Sequence, residues 1–415
     1  MELLKKYKRR LLVFLAIAGP GMISAIADND AGGVATYSIL GSKFGYSILF
    51  LLLLITVLLA ITQEIGARLS VVTGQGLGDL IRENYGIRVS IVVFTLLSIT
   101  NIGTTVANFA GLKAGLSLFH VPHLPYLIGF VVLCVLFIYR GSFETNQKIF
   151  LTAGLFYFTY VLSALLSRPD WSLAAKSLLL PTNIPLSFEY LFGGLALLGT
   201  TVTPWGQFFI SSFIRDKHLT IDKLKYAKIE VYFGAFVTDF FSFFMIVAVA
   251  ATLFKHGIEI QSASDAALAI RPFAGEFASY LFAGGLITAS FMGAVIVPLT
   301  TAYAFSEFFG YEGSLDLPFN QSRNFYILFL IQLLLAFFIV LLPGVSLFKI
   351  VLFTQSLNGV LLPVILYFLL KFANDKELMG KHTNNKFYNF FTIISIIIIV
   401  LSSILVTVGA ILGKI

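Results

Sequence analysis

Residues 19–40 read GPGMISAIADNDAGGVATYSIL, an apolar stretch with the acids Asp28 and Asp30 near its centre and Gly32-Gly33 directly after them. A carboxylate at mid-membrane costs about 2.5–3.5 kcal/mol on insertion scales, so two of them together indicate a function. Each glycine lowers helix propensity by about 1 kcal/mol. A broken helix is tolerated in lipid only where it lines a cavity or packs against protein. The stretch therefore predicts an unwound segment, including the two glycines, that offers oxygen ligands to a cation.

The composition is that of a polytopic membrane protein. The chain has 415 residues, a mean hydropathy of +0.92 and 12% charged residues, against about 25% in soluble domains. The net charge of +7 does not indicate nucleic-acid binding, because the basic residues lie in connections between apolar runs. The single cysteine, Cys134, excludes an intrachain disulfide. The partner expected from composition is the lipid bilayer, and nothing indicates an obligate protein partner.

Apolar runs of about 17–27 residues predict eleven membrane spans. The spans cover residues 11–40, 46–70, 89–118, 125–139, 149–166, 188–214, 229–254, 277–305, 325–342, 347–372 and 387–412. The N-terminal residues resemble a signal peptide but continue into the acidic segment without a cleavage site, so they are assigned to the first span.

Basic residues predict the orientation of these spans. Lysine and arginine cluster in residues 5–10, 215–228 and 371–386, which all fall on one side if the spans alternate. The positive-inside rule then places the N-terminus in the cytoplasm and the C-terminus outside. We expect an integral protein of a prokaryotic plasma membrane.

A second interrupted span gives the chain its internal symmetry. Span 6 contains Thr-Thr-Val-Thr-Pro from Thr200 to Pro204, and this proline frees a carbonyl one turn earlier. Because each half begins with a broken span and contains five spans, an odd number, the two halves enter the membrane in opposite directions, which is typical of inverted repeats. We expect one transport domain, with repeats at 11–168 and 188–372 and a further span at 387–412.

The candidate ion ligands lie on the two broken spans and on span 10. Asp30 is the first candidate and Asp28 the second; the alternative for each is a helix cap or an ion pair with a basic residue. Thr200 and Thr203 are one turn apart beside the second break, although a threonine in a membrane helix often bonds its own i−4 carbonyl. The remaining candidates are the backbone at Ala27 and Gly33 and the amides Gln207, Gln355 and Asn358.

Other polar residues within the spans have less specific interpretations. Glu64 precedes Arg68 by four residues, a spacing suited to a structural ion pair. Asp239 is an acid inside span 7 without an obvious local partner. A polar stripe on span 3 fits either contacts between helices or a hydrated path; it consists of Asn101, Thr104, Thr105 and Asn108. No nucleophile with a base and no cofactor motif is recognisable, so no enzyme activity and no cofactor are expected.

Four segments resemble the Nramp divalent-metal transporters. GPGMISAIADNDAGGVAT is similar to that family's first span, where an Asp-Pro-Gly-Asn motif follows the same Gly-Pro-Gly. QEIGARLSVVTGQGLGDLI resembles span 2 and the loop after it, LLGTTVTPWGQFF span 6, and TQSLNGVLLP span 10. The resemblance covers essentially the whole chain. It implies an all-α LeuT-like fold in which the metal lies between the two broken helices.

The departures from this pattern bear on the substrate. Ala31 and Gly33 replace the proline and the asparagine ligand of the first motif, and the usual Met-Pro-His of span 6 reads Thr-Pro-Trp from Thr203. Thr200 replaces an alanine. Hard oxygen ligands suit Mg2+ or Ca2+ better than late transition metals, and Mg2+ usually retains waters. The pattern is similar to the Nramp-related magnesium transporters, which implies Mg2+ and also Mn2+ as the carried ions.

Coupling to protons is not expected. In proton-coupled relatives, acids on span 3 and a histidine on span 6 serve the proton path, and the corresponding residues here are Asn101, Thr104 and Trp205. The second acid, Asp28, stands against this interpretation, because a pair of acids near a cation can carry a proton. The alternatives are a proton-coupled manganese or iron transporter, a sodium-coupled amino-acid symporter of the same architecture, and a membrane enzyme or receptor.

Overall fold

The computed structural model describes residues 19–119, 121–140, 143–260, 263–342 and 347–411. Within them the chain is helical and contains no strand. Eight helical runs of 19 to 43 residues are long and apolar enough to cross a membrane, and His123–Tyr139 is a shorter apolar helix. The start of predicted span 1 and the basic cluster at 5–10 lie outside the described residues. The all-α architecture is confirmed.

The helices of the first half begin with the two parts of the broken span. They are α1 (Pro20–Asp28), α2 (Ala31–Phe44), α3 (Leu49–Thr73), α4 (Leu77–Leu118), α5 (His123–Arg140), α6 (Phe143–Gly154), α7 (Phe158–Leu166) and α8 (Trp171–Leu179). A 3-10 turn, Gly45–Ile48, joins α2 to α3, and another, Leu155–Tyr157, joins α6 to α7. Predicted span 5 is therefore the pair α6 and α7.

The second half also begins with a broken span. Its helices are α9 (Phe188–Thr201), α10 (Pro204–Asp216), α11 (Leu224–Thr252), α12 (Ala263–Ala274), α13 (Glu276–Phe309), α14 (Arg323–Leu341), α15 (Leu347–Ala373), α16 (Lys376–Met379) and α17 (Lys386–Ile411). Helices α8 and α12 lie in the connections between predicted spans 5 and 6 and between predicted spans 7 and 8.

Spans at equivalent places in the two halves pack against each other. Helix α3 packs on α11, α4 on α13, and α5 on α14, which pairs spans 2 with 7, 3 with 8, and 4 with 9. The broken spans also touch, since α10 packs on α1 and α9 on α2. This pairing is what an inverted repeat produces, and it brings both helix breaks to the centre of the bundle.

Helix α4 is longer than the predicted span because it begins before a kink. Gly86 lies at φ +76°, a backbone conformation that costs other residues more than glycine. The part of α4 before this kink has Gly76 as its N-cap, and Gly76 donates its N–H to Asp79 Oδ2 over 3.2 Å. The membrane-crossing part of α4 thus follows Gly86, close to the predicted start at residue 89.

A buried ion pair fixes α3 near its end. Arg68 Nε lies 2.9 Å from Glu64 Oε1, as the i,i+4 spacing predicts, and Lys228 Nζ of α11 lies 2.8 Å from the same oxygen. Arg68 also donates to the carbonyl of His382, in the connection between α15 and α17. The structural interpretation of Glu64 and Arg68 is confirmed.

Candidate metal site between the two broken helices

The first helix break is shorter than the sequence indicates. Helix α1 ends at Asp28 and α2 begins at Ala31, so Gly32 and Gly33 lie in the first helical turn. The prediction that the glycines are unwound is wrong. Asp30 is the N-cap of α2, and its Oδ1 accepts the Gly33 N–H over 2.8 Å. First-turn N–H groups have no partner inside their own helix, so a capping carboxylate stabilises helix at these positions.

The second break lies where the sequence predicts it. Helix α9 ends at Thr201 and α10 begins at Pro204. Thr203 is the N-cap of α10, and its Oγ1 accepts the Gly206 N–H over 3.0 Å. Because Pro204 has no N–H, the Thr200 carbonyl has no i+4 donor.

A hydrogen bond joins the two breaks. Thr203 Oγ1 donates to Asp28 Oδ1 over 3.1 Å, and Gln63 Nε2 of α3 donates to Asp28 Oδ2 over 2.9 Å. All three residues are buried. Asp28, predicted as the second acid of the site, therefore lies between α1, α3 and α10.

Asp30 makes its outward contact with α4. Asn108 Nδ2 donates to Asp30 Oδ2 over 2.9 Å, and Asn108 Oδ1 accepts the Ala31 N–H over 3.0 Å. In an uninterrupted helix the Ala31 N–H would bond the Ala27 carbonyl. Asn108 thus takes the donor that would otherwise satisfy the Ala27 carbonyl, which was itself a predicted ligand.

Gly33 leaves space between the breaks. A Cβ added at Gly33 would lie 3.1 Å from the Asp28 carbonyl oxygen and 3.5 Å from Thr200 Oγ1. Thr200 Oγ1 is buried and has no hydrogen-bond partner. The Asp28 carbonyl oxygen and the Thr200 hydroxyl oxygen, one from each broken span, therefore lie beside the space that a side chain at position 33 would fill.

The three predicted amides have different surroundings. Both amide atoms of Gln207, one turn into α10, are buried without a hydrogen-bond partner. A Cβ added at Gly32 would meet Gln355 Nε2 at 2.4 Å, so Gln355 of α15 lies against the start of α2. Asn358 Nδ2 donates to Gln355 Oε1 over 3.2 Å, and Asn358 Oδ1 has no partner. Gln355 therefore lies beside the first turn of α2, and Asn358 contacts Gln355.

These groups together favour a hard cation. The atoms that they could offer to a metal ion are carboxylate, hydroxyl, carbonyl and amide oxygens. The described residues contain no group of three or more His, Cys, Asp or Glu side chains arranged to hold a metal. Buried oxygens without partners cost free energy unless an ion or water satisfies them. The arrangement is suited to an ion that brings part of its own hydration shell.

Sequence reasoning missed the two residues that hold the acids in place. Gln63 is adjacent to Glu64 in the middle of span 2, and it was not singled out. Asn108 was assigned only to a polar stripe, yet it bonds both Asp30 and the backbone of α2. An amide in the middle of an apolar span is the signal available for both, but it does not tell which helix the amide faces.

The comparisons with known proteins identify the family. The Nramp model, described as natural resistance-associated macrophage protein-like, matches residues 21–409. The chain belongs to the Nramp family. It is 27% identical over 399 residues to the divalent metal cation transporter MntH of Chromohalobacter salexigens, covering 91% of this chain and 88% of that protein.

Solved structures agree with the LeuT-like fold. The manganese transporter of Eremococcus coleocola superposes with a TM-score of 0.74 at 19% identity, over 95% of this chain and 86% of that one. A transporter of the nucleobase-cation-symport-1 family gives 0.62 at 14% identity, over 96% and 91%. At these identities the likeness shows the fold alone. The Nramp chain is thus an integral membrane transporter with a LeuT-like fold, as the sequence predicts.

Proposed function

We propose that this Nramp transporter carries divalent cations, Mg2+ foremost and Mn2+ as well, by alternating access. The observation that carries the proposal is the hydrogen bond from Thr203 to Asp28, which joins the two helix breaks through oxygen atoms. The MntH relative is named for divalent metal cations, which supports the substrate class.

The proposed ligands are all hard. Asp30 and Asp28 supply the negative charge, and Thr200 and Thr203 supply hydroxyls. The backbone at Ala27 and Gly33, together with Gln207, Gln355 and Asn358, completes the set. The absence of a thioether or imidazole from this set supports Mg2+ over the late transition metals.

We further propose that the ion keeps much of its water. Mg2+ loses its hydration shell reluctantly and is usually bound through one or two carboxylates with several waters. The unpartnered Thr200 hydroxyl and Gln207 amide offer hydrogen bonds to such waters. Gly33 in place of a larger residue gives the hydrated ion room.

The polar stripe of span 3 supports transport without protons. Asn101 Nδ2 donates to Thr301 Oγ1 over 2.8 Å, and Gln332 Nε2 donates to Thr105 Oγ1 over 2.8 Å. Amides and hydroxyls at these positions do not titrate near neutral pH. The electrochemical gradient of the ion would then drive uptake. We also propose that the N-terminus is cytoplasmic and the C-terminus extracellular, and that the two repeats span residues 11–168 and 188–372.

A proton-coupled Mn2+ or Fe2+ transporter is the second candidate. The observation that favours it is the burial of Asp28 close to the first candidate ligand, because an extra acid beside the ion is able to carry a proton. A sodium-coupled amino-acid symporter has weaker support, since that function wants helix N-termini facing a carboxylate and fewer acids.

Competition in proteoliposomes tests the substrate. We expect Mn2+ uptake to be inhibited by excess Mg2+ and only weakly by Cd2+, and to be lost in Asp30→Ala. Asp222→Asn is the control, since Asp222 is exposed and pairs with Lys223. Strong inhibition by Cd2+ with none by Mg2+ would favour the second candidate instead.

A further inference from the structure

Asp239 is a buried acid that the proposed divalent site does not use. It lies on α11 and is 5% exposed, and within the described part of the chain neither carboxylate oxygen has a hydrogen bond of good geometry, although the Thr56 hydroxyl lies beside it. Asp239 is level with the first helix break, because Asn29 Nδ2 donates to the carbonyl of Thr238 over 2.7 Å. One turn further on, Ser242 donates to Asn29 Oδ1 over 2.7 Å.

The groups facing Asp239 come from α1, α2 and α3. Asp239 interacts electrostatically with Asp28 and with Tyr37. The neighbouring hydroxyl on α3 is Thr56, which donates its proton to the Leu52 carbonyl over 2.8 Å and keeps its oxygen lone pairs. Among the described residues, the groups that interact with Asp239 are therefore two hydroxyls and a second carboxylate, and none of them is a lysine, arginine or histidine.

The amide of Gln63 contacts Asp28, which also interacts with Asp239. Its nitrogen donates to Asp28 Oδ2, and its oxygen is buried without a partner. Asp239 Oδ1 and Oδ2 and Gln63 Oε1 are thus three buried oxygens without a hydrogen bond of good geometry, on two residues that each interact with Asp28. Groups of this kind are costly in a membrane interior unless a cation or a donor satisfies them.

A single divalent ion would leave one negative charge of the buried acids uncompensated. Asp28, Asp30 and Asp239 carry three negative charges if ionised, and none of them pairs with a lysine, arginine or histidine in the described part of the chain. One divalent ion compensates two of these charges. A second divalent ion would overcompensate, whereas one monovalent cation makes the group neutral.

We propose that Asp239 holds a second cation, a small monovalent one of the Na+ class, beside the divalent-ion site. Its ligands are the Asp239 carboxylate, the Thr56 hydroxyl oxygen and the Gln63 amide oxygen, with Asp28 between the two ions. The charge count rests on the proposed divalent transport. The site itself rests on the geometry of Asp239.

Thermal unfolding of the purified full-length protein tests the site without divalent ions. We expect Na+ to raise the unfolding midpoint by at least about 2 °C over choline at equal ionic strength, because a ligand that binds only the folded state stabilises it. Asp239→Asn abolishes this difference, and Asp222→Asn keeps it. Asp239→Ser serves as a second variant if the asparagine variant does not fold.

Asp30→Ala separates this proposal from the divalent one. We expect that variant to lose divalent uptake and to keep the stabilisation by Na+. Equal midpoints in Na+ and choline for the wild type, or an unchanged response in a folded Asp239 variant, would overturn the second site. Calorimetric titration with Mg2+ in Na+ buffer gives one ion per chain on this account, and two ions would overturn the monovalent assignment.

Discussion

Thr203 combines two tasks in one hydroxyl. It accepts the Gly206 N–H as the cap of α10 and donates its own proton to Asp28. A methionine or any aliphatic residue at this position would give up both bonds. The departure from the usual span-6 sequence therefore changes the ligand chemistry and the geometry of the helix break together.

We predict that Thr203→Val lowers transport, although valine has nearly the same size and shape as threonine. Valine keeps the shape but loses the cap, worth about 1 kcal/mol, and leaves Asp28 without one donor. We expect divalent uptake to fall by about tenfold, which corresponds to about 1.4 kcal/mol. Thr203→Ser keeps the hydroxyl and is the control in the same uptake assay. Equal losses in both variants would contradict the role of the hydroxyl.

We predict that Gly33→Ala narrows the site. The new Cβ would press against the Asp28 carbonyl oxygen at 3.1 Å and occupy the space beside Thr200. We expect apparent Mg2+ affinity to fall by about tenfold, with a smaller effect on a less strongly hydrated ion. Gly129→Ala is the matched control, because nothing lies within 4 Å of its added Cβ. Unchanged Mg2+ affinity in Gly33→Ala would show that the ion does not need this space.

At the residue scale the sequence identifies the acids better than their partners. Asp28 and Asp30 stand out because charge inside an apolar run is costly. Gln63 and Asn108 do not stand out, because a single amide in a long helix has many uses. Their role depends on which helix faces them, and that is a property of tertiary packing.

At the element scale, the start of α1 is held by an acid from another helix. Glu230 Oε1 of α11 accepts the N–H groups of Gly19 at 2.6 Å and of Met22 at 3.1 Å. Glu230 is buried, and a carboxylate at a helix N-terminus is favoured by the helix dipole. This contact ties one end of the broken span to α11.

We predict that Glu230→Ala loosens α1 while the bundle stays folded. The two N–H groups lose their acceptor, which costs about 1–3 kcal/mol when they remain buried. Hydrogen exchange of residues 19–28 should quicken by about tenfold or more, while α13 stays protected. Glu230→Gln keeps a carbonyl acceptor and should lie between wild type and alanine. Unchanged exchange in Glu230→Ala would mean that Glu230 does not hold the helix.

The extent of the first helix break could not be predicted from the sequence. Two glycines lower helix propensity, which predicts an unwound stretch. The cap from Asp30 and the acceptor from Asn108 outweigh that preference, so both glycines are helical. Pro204 coincides with the second break, where its missing N–H leaves the Thr200 carbonyl without a helical donor. Proline alone does not decide a break, since Pro298 and Pro363 lie inside α13 and α15.

At the scale of the whole molecule, the spacing of the two breaks carries most of the fold. Five spans in each half predict inverted halves, and the observed pairing of α3 with α11 and of α4 with α13 agrees with that arrangement. The helices in the connections, α8 and α12, escaped prediction because they are too short to span a membrane.

We predict that membrane potential drives uptake. A charge moving through the membrane gains about 2.3 kcal/mol per 100 mV, and a divalent ion gains twice as much. An inside-negative potential set by potassium and valinomycin should raise the initial Mg2+ uptake several-fold in wild-type proteoliposomes. A potential of opposite sign should suppress it. Uptake that ignores the potential would contradict net charge movement.

Transport of Mg2+ without protons is tested most directly in proteoliposomes that contain a Mg2+-sensitive dye and a pH-sensitive dye, for wild type and Asp30→Ala. We expect Mg2+ entry without acidification in the wild type, and no entry in Asp30→Ala. Entry of Mn2+ or Cd2+ but not Mg2+, accompanied by protons, would contradict it and make the protein a proton-coupled transition-metal transporter.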